Sequence, residues 1–381
     1  GVAHARGDEA RAVTRTTANL RLFLDRTPRP RRVHVSLAAG GYAFSMCGIV
    51  GYVSSVAPEG ADHTALDVLL QGLSRLEYRG YDSAGVAVVT PDGQLGARKR
   101  AGKLQNLLDE VERDPLPVAQ TGIGHTRWAT HGGPTDENAH PHLADDGKLA
   151  VIHNGIIENF AQLRQDLLAD GVEFASETDT EVAAHQLAKN YRAAGDMTEA
   201  MRITVGQLEG AFTLLAVHAD APSTVVASRL NSPLVIGLGE GENFLGSDVA
   251  AFIDHTRRAV EIGQNQIVTI TPDEVSIIEA DGTPVTGEPF DVDWDPATAE
   301  KGGFESFMDK EIHDQPQAVA DTLLGRFGLD GRLQLSEMRI DESILKSVDK
   351  IVVIACGTAA YAGQVAKYAI EHWCRIPTEV E

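Results

Sequence analysis

One cysteine stands where it could become an N-terminal nucleophile. Cys47 follows Met46, and removal of that methionine before a small residue would leave the α-amine of Cys47 free. A thiol has a pKa near ~8.5 and an α-amine near ~7.7–8.0, so the amine could act as a base toward its own thiol. An amide nitrogen has no such basicity, so this mechanism requires that no residue be joined ahead of Cys47. The alternative is a small buried thiol on a strand, which is the commoner role of cysteine.

A second group of reactive side chains lies in the segment His125–Gly132, HTRWATHG. Arg127 could hold a carboxylate through two parallel hydrogen bonds, which suits an amino-acid substrate. Trp128 could cover such a pocket and exclude water. The alternative is a surface loop that Trp128 anchors to the core.

The histidines offer a rival interpretation as metal ligands. The five candidates are His125, His131, His140, His142 and His153. Their spacings match no helical HxxxH pair, and no Asp or Glu stands beside them in a familiar ligand pattern. We therefore expect no metal and no cofactor.

Two further motifs have both a structural and a chemical interpretation. Asn154-Gly155 could form a hairpin turn, or supply an amide and a backbone N–H to a developing oxyanion. Thr178 and Glu181 could form a capping box at a helix start. Asp179, at that helix entrance, could instead pair with a substrate ammonium group.

The first half of the chain alternates short strands and helices. A buried strand is predicted over Cys47–Val53, and a stripe of leucines predicts a helix over roughly 61–77. Pro91-Asp92-Gly93 predicts a hairpin between 84–90 and 94–99. Residues 121–147 are predicted to form a long loop, and Leu149–His153 a strand.

The second half is predicted to add helices at about 158–169, 179–194 and 197–208, and then short strands from Phe212 to Ile278. One hairpin is expected around Thr271-Pro272-Asp273. The Pro-, Gly- and Asp-rich stretch 281–303 is predicted to be a linker. A helix from about Phe304, kinked or interrupted near Pro316, and a strand–Gly loop–helix unit over 350–381 indicate a second domain, too short here to complete a parallel sheet.

Composition limits the function classes. The 381 residues are 43% hydrophobic and 23% charged with a net charge of −22, which favours a globular protein and disfavours nucleic-acid or anionic-membrane surfaces. No apolar stretch approaches the ~20 residues of a membrane span. Three cysteines without a CxxC pair favour a reducing cytoplasm. Residues 1–46 hold eight Arg and three acids, and we expect them to lie outside the mature fold, as a transit peptide or as upstream DNA read in frame.

The joint occurrence of several motifs resembles the class II glutamine amidotransferases, which have the N-terminal nucleophile hydrolase fold. The matching segments are Met46–Gly51, Arg75–Gly85, His125–Gly132, Asn138–His142, His153–Asn159 and Ser176–Glu181. Glu305–Pro316 and Ala355–Thr358 narrow the resemblance to members that make D-glucosamine 6-phosphate and L-glutamate from L-glutamine and D-fructose 6-phosphate. The resemblance covers residues 46–381.

The resemblance implies a role for each matching residue. Cys47 would attack the glutamine amide, and Asn154 with Gly155 would form the oxyanion hole. Arg127 would hold the substrate carboxylate and Asp179 its α-amine. Other implied substrate-site residues are Arg79, Trp128, Thr130, His131 and His140. Gly357 and Thr358 would bind the sugar phosphate.

The resemblance also implies an architecture. Residues 47–280 would form a four-layer αββα sandwich, followed by the 281–303 linker and an incomplete parallel α/β sugar isomerase domain over 304–381. The fragment is expected to be competent only as a glutaminase, and the full-length protein to be a homodimer without nucleic-acid or membrane partners. Two alternatives remain, namely the glutaminase half of an amidophosphoribosyltransferase and a non-catalytic sugar-phosphate sensor.

Overall fold

A computed structural model of the chain describes residues 19–24, 33–38, 47–55, 63–77, 80, 82–129, 131–292, 304, 307–323, 346–355 and 357–381. The chain divides into two compact units. The smaller comprises Gly1–Ala43 with Lys301–Glu381, and the larger is Phe44–Glu300. The smaller unit contains the first two strands, β1 (Asn19–Leu24) and β2 (Val33–Ala38), which pair antiparallel.

The larger unit contains fifteen of the strands that the structure describes and five α-helices. The strands are β3 (Gly48–Ser54), β4 (Ser83–Val89), β5 (Leu95–Ala101), β6 (Thr121–Arg127), β7 (His142–Ala144), β8 (Leu149–Ile157), β9 (Gly210–His218), β10 (Val225–Leu230), β11 (Val235–Leu238), β12 (Glu242–Gly246), β13 (Arg258–Glu261), β14 (Ile267–Ile270), β15 (Val275–Ile278), β16 (Pro284–Val285) and β17 (Pro289–Asp291). The helices are α1 (Ala65–Leu76), α2 (Leu104–Arg113), α3 (Phe160–Ala169), α4 (Asp179–Ala194) and α5 (Met197–Val205), with a 3₁₀ turn at Val249–Ala251.

These strands form two antiparallel sheets. One has eight strands in the order β17-β13-β11-β12-β3-β6-β4-β5, and the other has seven in the order β16-β15-β14-β10-β9-β8-β7. Three buried apolar clusters lie between α1 and α2 and the first sheet, between the two sheets, and between the second sheet and α4 and α5. This layering confirms the expected αββα sandwich.

The caps and apolar stripes of the helices explain where they form. Thr64 caps α1 in a reciprocal capping box with Asp67, and the leucines of α1 face the eight-stranded sheet. Thr178 caps α4, and Gly195 ends that helix with a φ of 71°. The predicted hairpins at 84–99 and 267–278 are also confirmed.

The predicted long loop over 121–147 is wrong at its start and near its end. Residues 121–127 form β6, a strand paired on both sides by β3 and β4, and residues 142–144 form β7, which pairs with β8. A Cβ built on Gly122 would lie 2.9 Å from a methyl carbon of Leu69, and one on Gly124 would lie 3.1 Å from a methyl carbon of Leu73. Glycine therefore lets α1 pack directly on this strand. Because glycine, histidine and threonine alternate there, no apolar period revealed the strand.

Three smaller differences concern element boundaries. Strand β8 runs through Asn154-Gly155, so this pair is not a hairpin turn. Thr178 accepts the N–H of Glu181, but the Glu181 carboxylate binds the backbone N–H groups of residues 175 and 176, so only half of the predicted capping box forms. Strands β16 and β17 occupy the beginning of the expected linker and pair with β15 and β13.

The smaller unit has a four-stranded sheet in the order β1-β2-β18-β19, where β18 is Ile351–Val353 and β19 is Thr378–Val380. Its described residues include two helices, α6 (Phe307–Leu323) and α7 (Gly357–Trp373). Helix α6 continues through Pro316, so the expected interruption there is wrong. The parallel pair β18–β19 around α7 confirms the predicted strand–Gly loop–helix unit. β1 and β2 lie in the Arg-rich segment that the sequence analysis leaves outside the fold. Within the described residues, no helix is both long and apolar enough to span a bilayer.

Candidate active site

Cys47 lies at the start of β3, beside the end of β6. The strand pairing places Gly48 opposite Thr126, and the Gly48 N–H donates to the Thr126 hydroxyl at 3.1 Å. The Sγ of Cys47 accepts the backbone N–H of Trp128 at 3.1 Å. With 9% of its surface exposed, Cys47 sits at the rim of the core, where its sulfur can meet a ligand.

Asn154 comes from the other sheet. Its side-chain nitrogen donates to the carbonyl oxygen of Cys47 at 3.0 Å. Its Oδ1 lies 2.9 Å from Nε2 of His125, and the carbonyl oxygen of His153 lies at the same distance from that nitrogen. Because both neighbours are acceptors, Nε2 of His125 carries a proton. His125 thereby orients the Asn154 amide toward Cys47.

Gly155 adopts a backbone conformation that other residues rarely reach. Its φ is +122°, and a Cβ at this position would lie 2.0 Å from the carbonyl oxygen of Ala211 on β9. Glycine is therefore required for β8 to pass β9 at this point.

The guanidinium of Arg127 is buried beneath the loop that follows β6. It donates to the backbone carbonyls of His131, Gly132 and Gly133, the last two at 3.3 Å. Burial lowers the pKa of Arg127, and attraction to Cys47, Asp179 and Asp82 opposes that shift. A guanidinium stays protonated in proteins, so the site holds a fixed positive charge close to the thiol.

Asp179 is a buried carboxylate at the first turn of α4. Its Oδ2 accepts the N–H of Ile157 at 2.9 Å. The Nδ1 atoms of His131 and His153 each lie 3.9 Å from the same oxygen. A buried carboxylate with so few donors can accept further hydrogen bonds from a cationic ligand.

The histidines near the site form a neutral, buried group. Burial lowers the pKa of His125 to about 3, and it also lowers the pKa values of His140, His142 and His153. The His140 ring lies 4.2 Å from that of His125 and 5.1 Å from that of His142, measured between centroids. Among the described residues, these histidines do not bring three ligand atoms together, as a metal site would require.

Of the remaining predicted site residues, Trp128 and His131 border the groups already described. Trp128 is half-buried and His131 packs edge-on against Phe160. Arg79 and Thr130 fall outside the described residues. Gly357 and Thr358 are exposed at the start of α7 in the smaller unit, where Gly357 has a φ of +59°.

Asp82 holds the loop around Trp128 in place, a role that was not predicted from the sequence. The Asp82 carboxylate accepts the N–H of Ala129 at 2.9 Å, and the Asp82 backbone N–H donates to the carbonyl of Arg127 at 3.0 Å. Asp82 therefore fixes the chain on both sides of Trp128. Its position within the Arg75–Gly85 motif was the available signal.

Comparison with known proteins gives consistent matches. The glutamine amidotransferase domain family matches residues 113–283. Proteins named glutamine–fructose-6-phosphate aminotransferase [isomerizing] from Corynebacterium efficiens and Corynebacterium glutamicum are 66% and 65% identical over 338 residues. Each match covers 88% of this chain and 54% of the relative, so the chain spans about half the length of these curated relatives. These identities favour the hexosamine-forming interpretation over the two alternatives.

A solved structure shares the fold. The glutamine phosphoribosylpyrophosphate amidotransferase from B. subtilis, complexed with ADP and GMP, matches with a TM-score of 0.51 at 24% identity, covering 61% of this chain and 49% of that one. Its similarity is to the architecture alone. This chain therefore shares the fold of that amidotransferase over about three fifths of its length.

Proposed function

We propose, on the premise that this chain belongs to the class II glutamine amidotransferase family, that its larger unit hydrolyses L-glutamine at Cys47. In the whole protein, the released ammonia would pass to D-fructose 6-phosphate, giving D-glucosamine 6-phosphate and L-glutamate. One observation carries the proposal. Cys47 accepts the N–H of Trp128 on its sulfur and the side-chain amide of Asn154 on its backbone carbonyl, although the three residues come from distant parts of the chain.

The first step is attack by the thiol. Once its amine is free, Cys47 can pass the thiol proton to that amine, and the positive charge of Arg127 favours the resulting thiolate. The thiolate forms a C–S bond with the side-chain carbonyl carbon of glutamine, and the π pair moves to oxygen. Asn154 Nδ2 and the Gly155 N–H are the donors assigned to this oxyanion.

The second step releases the products. The tetrahedral intermediate expels ammonia, which takes the proton held by the α-amine, and leaves a thioester on Cys47. Water then adds to the thioester carbon, the C–S bond breaks, and L-glutamate leaves with the thiol restored. Ammonia in neutral water is mostly protonated and no longer nucleophilic, so transfer to a sugar needs a path that excludes water.

Substrate recognition is assigned to two buried charges. Asp179 would accept the α-ammonium group of glutamine, while Arg127 would hold the α-carboxylate by paired hydrogen bonds. Arg127 now binds three loop carbonyls, so glutamine would have to replace some of these bonds. Trp128, Thr130, His131, Arg79 and His140 are proposed to border the pocket.

The sugar phosphate is assigned to the smaller unit. Gly357 and Thr358 begin α7, a helix of 17 residues, and the N–H groups of a helix start favour anions. We propose that 304–381 begins a sugar isomerase domain, that the full-length protein is a homodimer, and that it acts in the cytoplasm. The names of the relatives support the substrate, and the parallel β18–β19 pair is consistent with the domain assignment.

The proposal is tested by ammonia release from glutamine. A chain whose first residue is Cys47 is expected to hydrolyse glutamine, and its Cys47→Ala variant is expected to bind glutamine without turnover. Cys374→Ala is the matched control, because Cys374 is exposed in the smaller unit. Turnover by the Cys47→Ala variant would assign the nucleophile to another residue.

A further inference from the structure

Three potential metal ligands from separate segments meet outside the proposed active site. His63 directly precedes the cap of α1, Glu242 begins β12, and His255 follows the 3₁₀ turn. One ligand atom from each residue lies within 4.8 Å of the others, and no other such group occurs in the part of the chain that the structure describes. Two imidazoles and a carboxylate are a ligand set that binds Zn²⁺.

The distances agree with ligands around one ion. Nε2 of His63 lies 3.3 Å from Oε2 of Glu242. Ligand atoms ~2.0–2.1 Å from a tetrahedral ion are about 3.3–3.4 Å apart. The rings of His63 and His255 lie 5.1 Å apart between centroids, and the ligand atoms of all three residues lie within 4.8 Å of one another.

Neighbouring groups hold these ligands in position. The hydroxyl of Tyr52, which is 1% exposed, donates to Oε2 of Glu242 at 2.7 Å. The Gln71 amide nitrogen donates to Asp254 at 2.8 Å, so its oxygen faces Nε2 of His255 at 3.2 Å and accepts from it. Such contacts fix the tautomer of metal-bound histidines.

One side of the cluster faces open space. Glu242 and His255 line a cavity of about 400 Å³, whose wall also includes Glu240, Thr256 and Arg258. A bound ion could therefore keep one coordination position for water or a small anion. Arg258 supplies a positive charge on the same wall.

We propose that His63, Glu242 and His255 bind a divalent transition-metal ion, with Zn²⁺ as the best match. Glu242 pairs with Ser54 at the far end of β3, while Cys47 precedes its beginning. Tyr52 lies five positions after Cys47, which along a strand is roughly 17 Å. The ion would tie the start of α1 to β12, and it would have no part in glutamine hydrolysis.

The test is a calorimetric titration of the full chain with ZnCl₂. We expect saturable binding of one ion at this site. Glu242→Gln and His255→Ala should each weaken it at least about 100-fold, and Tyr52→Phe about 10-fold. Glu240→Gln, which changes a neighbouring carboxylate on the same cavity, and His372→Ala, which removes an exposed histidine, should leave affinity unchanged.

A second measurement separates this site from Cys47. Co²⁺ should bind without a thiolate-to-metal charge-transfer band, and binding should persist in Cys47→Ala. Thermal unfolding without metal establishes that each variant is folded, and Glu242→Gln keeps the shape of the side chain if His255→Ala does not fold. Equal Zn²⁺ affinity in wild type and Glu242→Gln, or no saturable binding in wild type, would overturn the proposal.

Discussion

At the scale of single residues, Arg127 binds three loop carbonyls, and the loss of its paired donors should affect glutamine binding. A lysine ammonium could keep the charge, but it lacks the planar pair of donors that matches a carboxylate. Arg127→Lys is therefore expected to raise KM for glutamine by about 10- to 100-fold with a smaller change in kcat. Steady-state ammonia release measures both constants.

Arg192→Lys is the control for this substitution, because Arg192 is exposed and pairs with Asp145. It should leave KM unchanged. An unaltered KM in Arg127→Lys would remove Arg127 from the carboxylate site, whereas an equal rise in both variants would point to a general effect of losing arginine.

Asn154 should affect the chemical step rather than binding. Loss of an oxyanion donor typically costs about 100- to 1,000-fold in rate. We expect Asn154→Ala to lower kcat by that factor while KM changes little. Asn159→Ala is the matched control, since the Asn159 side chain only joins the chain near Gln207 and Glu209. A kcat near the wild-type value in Asn154→Ala would assign the oxyanion to other donors.

At the scale of elements, the passage of β8 beside β9 depends on Gly155. Gly155→Ala places a methyl group against the Ala211 carbonyl at a positive φ, so we expect a loss of at least about 3 kcal/mol in the free energy of unfolding. Gly171→Ala is the control, with a φ of +87° and open space around the new methyl group, and should cost about 1–2 kcal/mol. Denaturant titration compares them, and equal losses would contradict the steric argument.

The start of α4 should respond to acid through Glu181. Burial favours a higher pKa for Glu181, but the neighbouring His185, 3.9 Å away, and hydrogen bonds from Ser176 and the backbone outweigh it and lower the pKa to about 2. Since this lies below the ordinary value of 4.5, the carboxylate stabilises the fold above pH 4.5, and the stabilisation disappears as the pH falls toward 2.

Glu181→Gln is accordingly expected to be less stable than wild type by about 1 kcal/mol at pH 7, with the difference shrinking below pH 4.5. Unfolding curves from pH 7 to 3 measure this difference. Glu173→Gln, at an exposed glutamate before the same helix, should show no such trend. A difference that stays constant with pH would exclude the carboxylate as its source.

Strong apolar periods made most elements predictable. The leucine stripe of α1 and the hairpin at 84–99 were predicted close to their observed bounds, and the turn around Thr271-Pro272-Asp273 was predicted at its observed place. Strand β6 was not predicted, because a helix packs on it and it has Gly122 and Gly124 where an alternating strand would have apolar side chains. Asn154-Gly155 was ambiguous because the contact that requires glycine comes from β9, far along the chain.

The site was predictable only where one local motif carried it. Cys47, Arg127 and Asp179 each lie in a recognisable segment. In the structure, residues that contact one of them also contact another, as His131 does for Arg127 and Asp179. The supporting contacts of Asp82 and His125 reach across elements, so spacing gave Asp82 no role and His125 was considered only as a metal ligand. The trio of His63, Glu242 and His255 spans most of the larger unit and has no local pattern.

At the scale of the larger unit, the sandwich explains why neither sheet could form the proposed site alone. The eight-stranded sheet supplies Cys47 and Arg127, and the seven-stranded sheet supplies Asn154. The apolar cluster between the sheets, which includes Ile49 and Ile152, fixes their separation. Distances at the sulfur therefore depend on the whole core.

The polypeptide as a whole must also leave the amine of Cys47 unblocked if that amine is the base. We expect a chain that begins with Cys47 to hydrolyse glutamine, and a chain with one alanine joined ahead of Cys47 to lose at least about 100-fold in kcat, the contribution typical of a general base. The added residue converts an amine into an amide and changes little else. An alanine appended after Glu381 is the matched control and should leave kcat unchanged.

Because the thiol of the blocked chain still ionises at high pH, its activity should recover partly as the pH rises through ~8.5. Equal kcat at pH 7 for the blocked and unblocked chains would require a base other than the α-amine, and the buried neutral His125 and His140 make poor candidates, since burial lowers their pKa values well below the ordinary range.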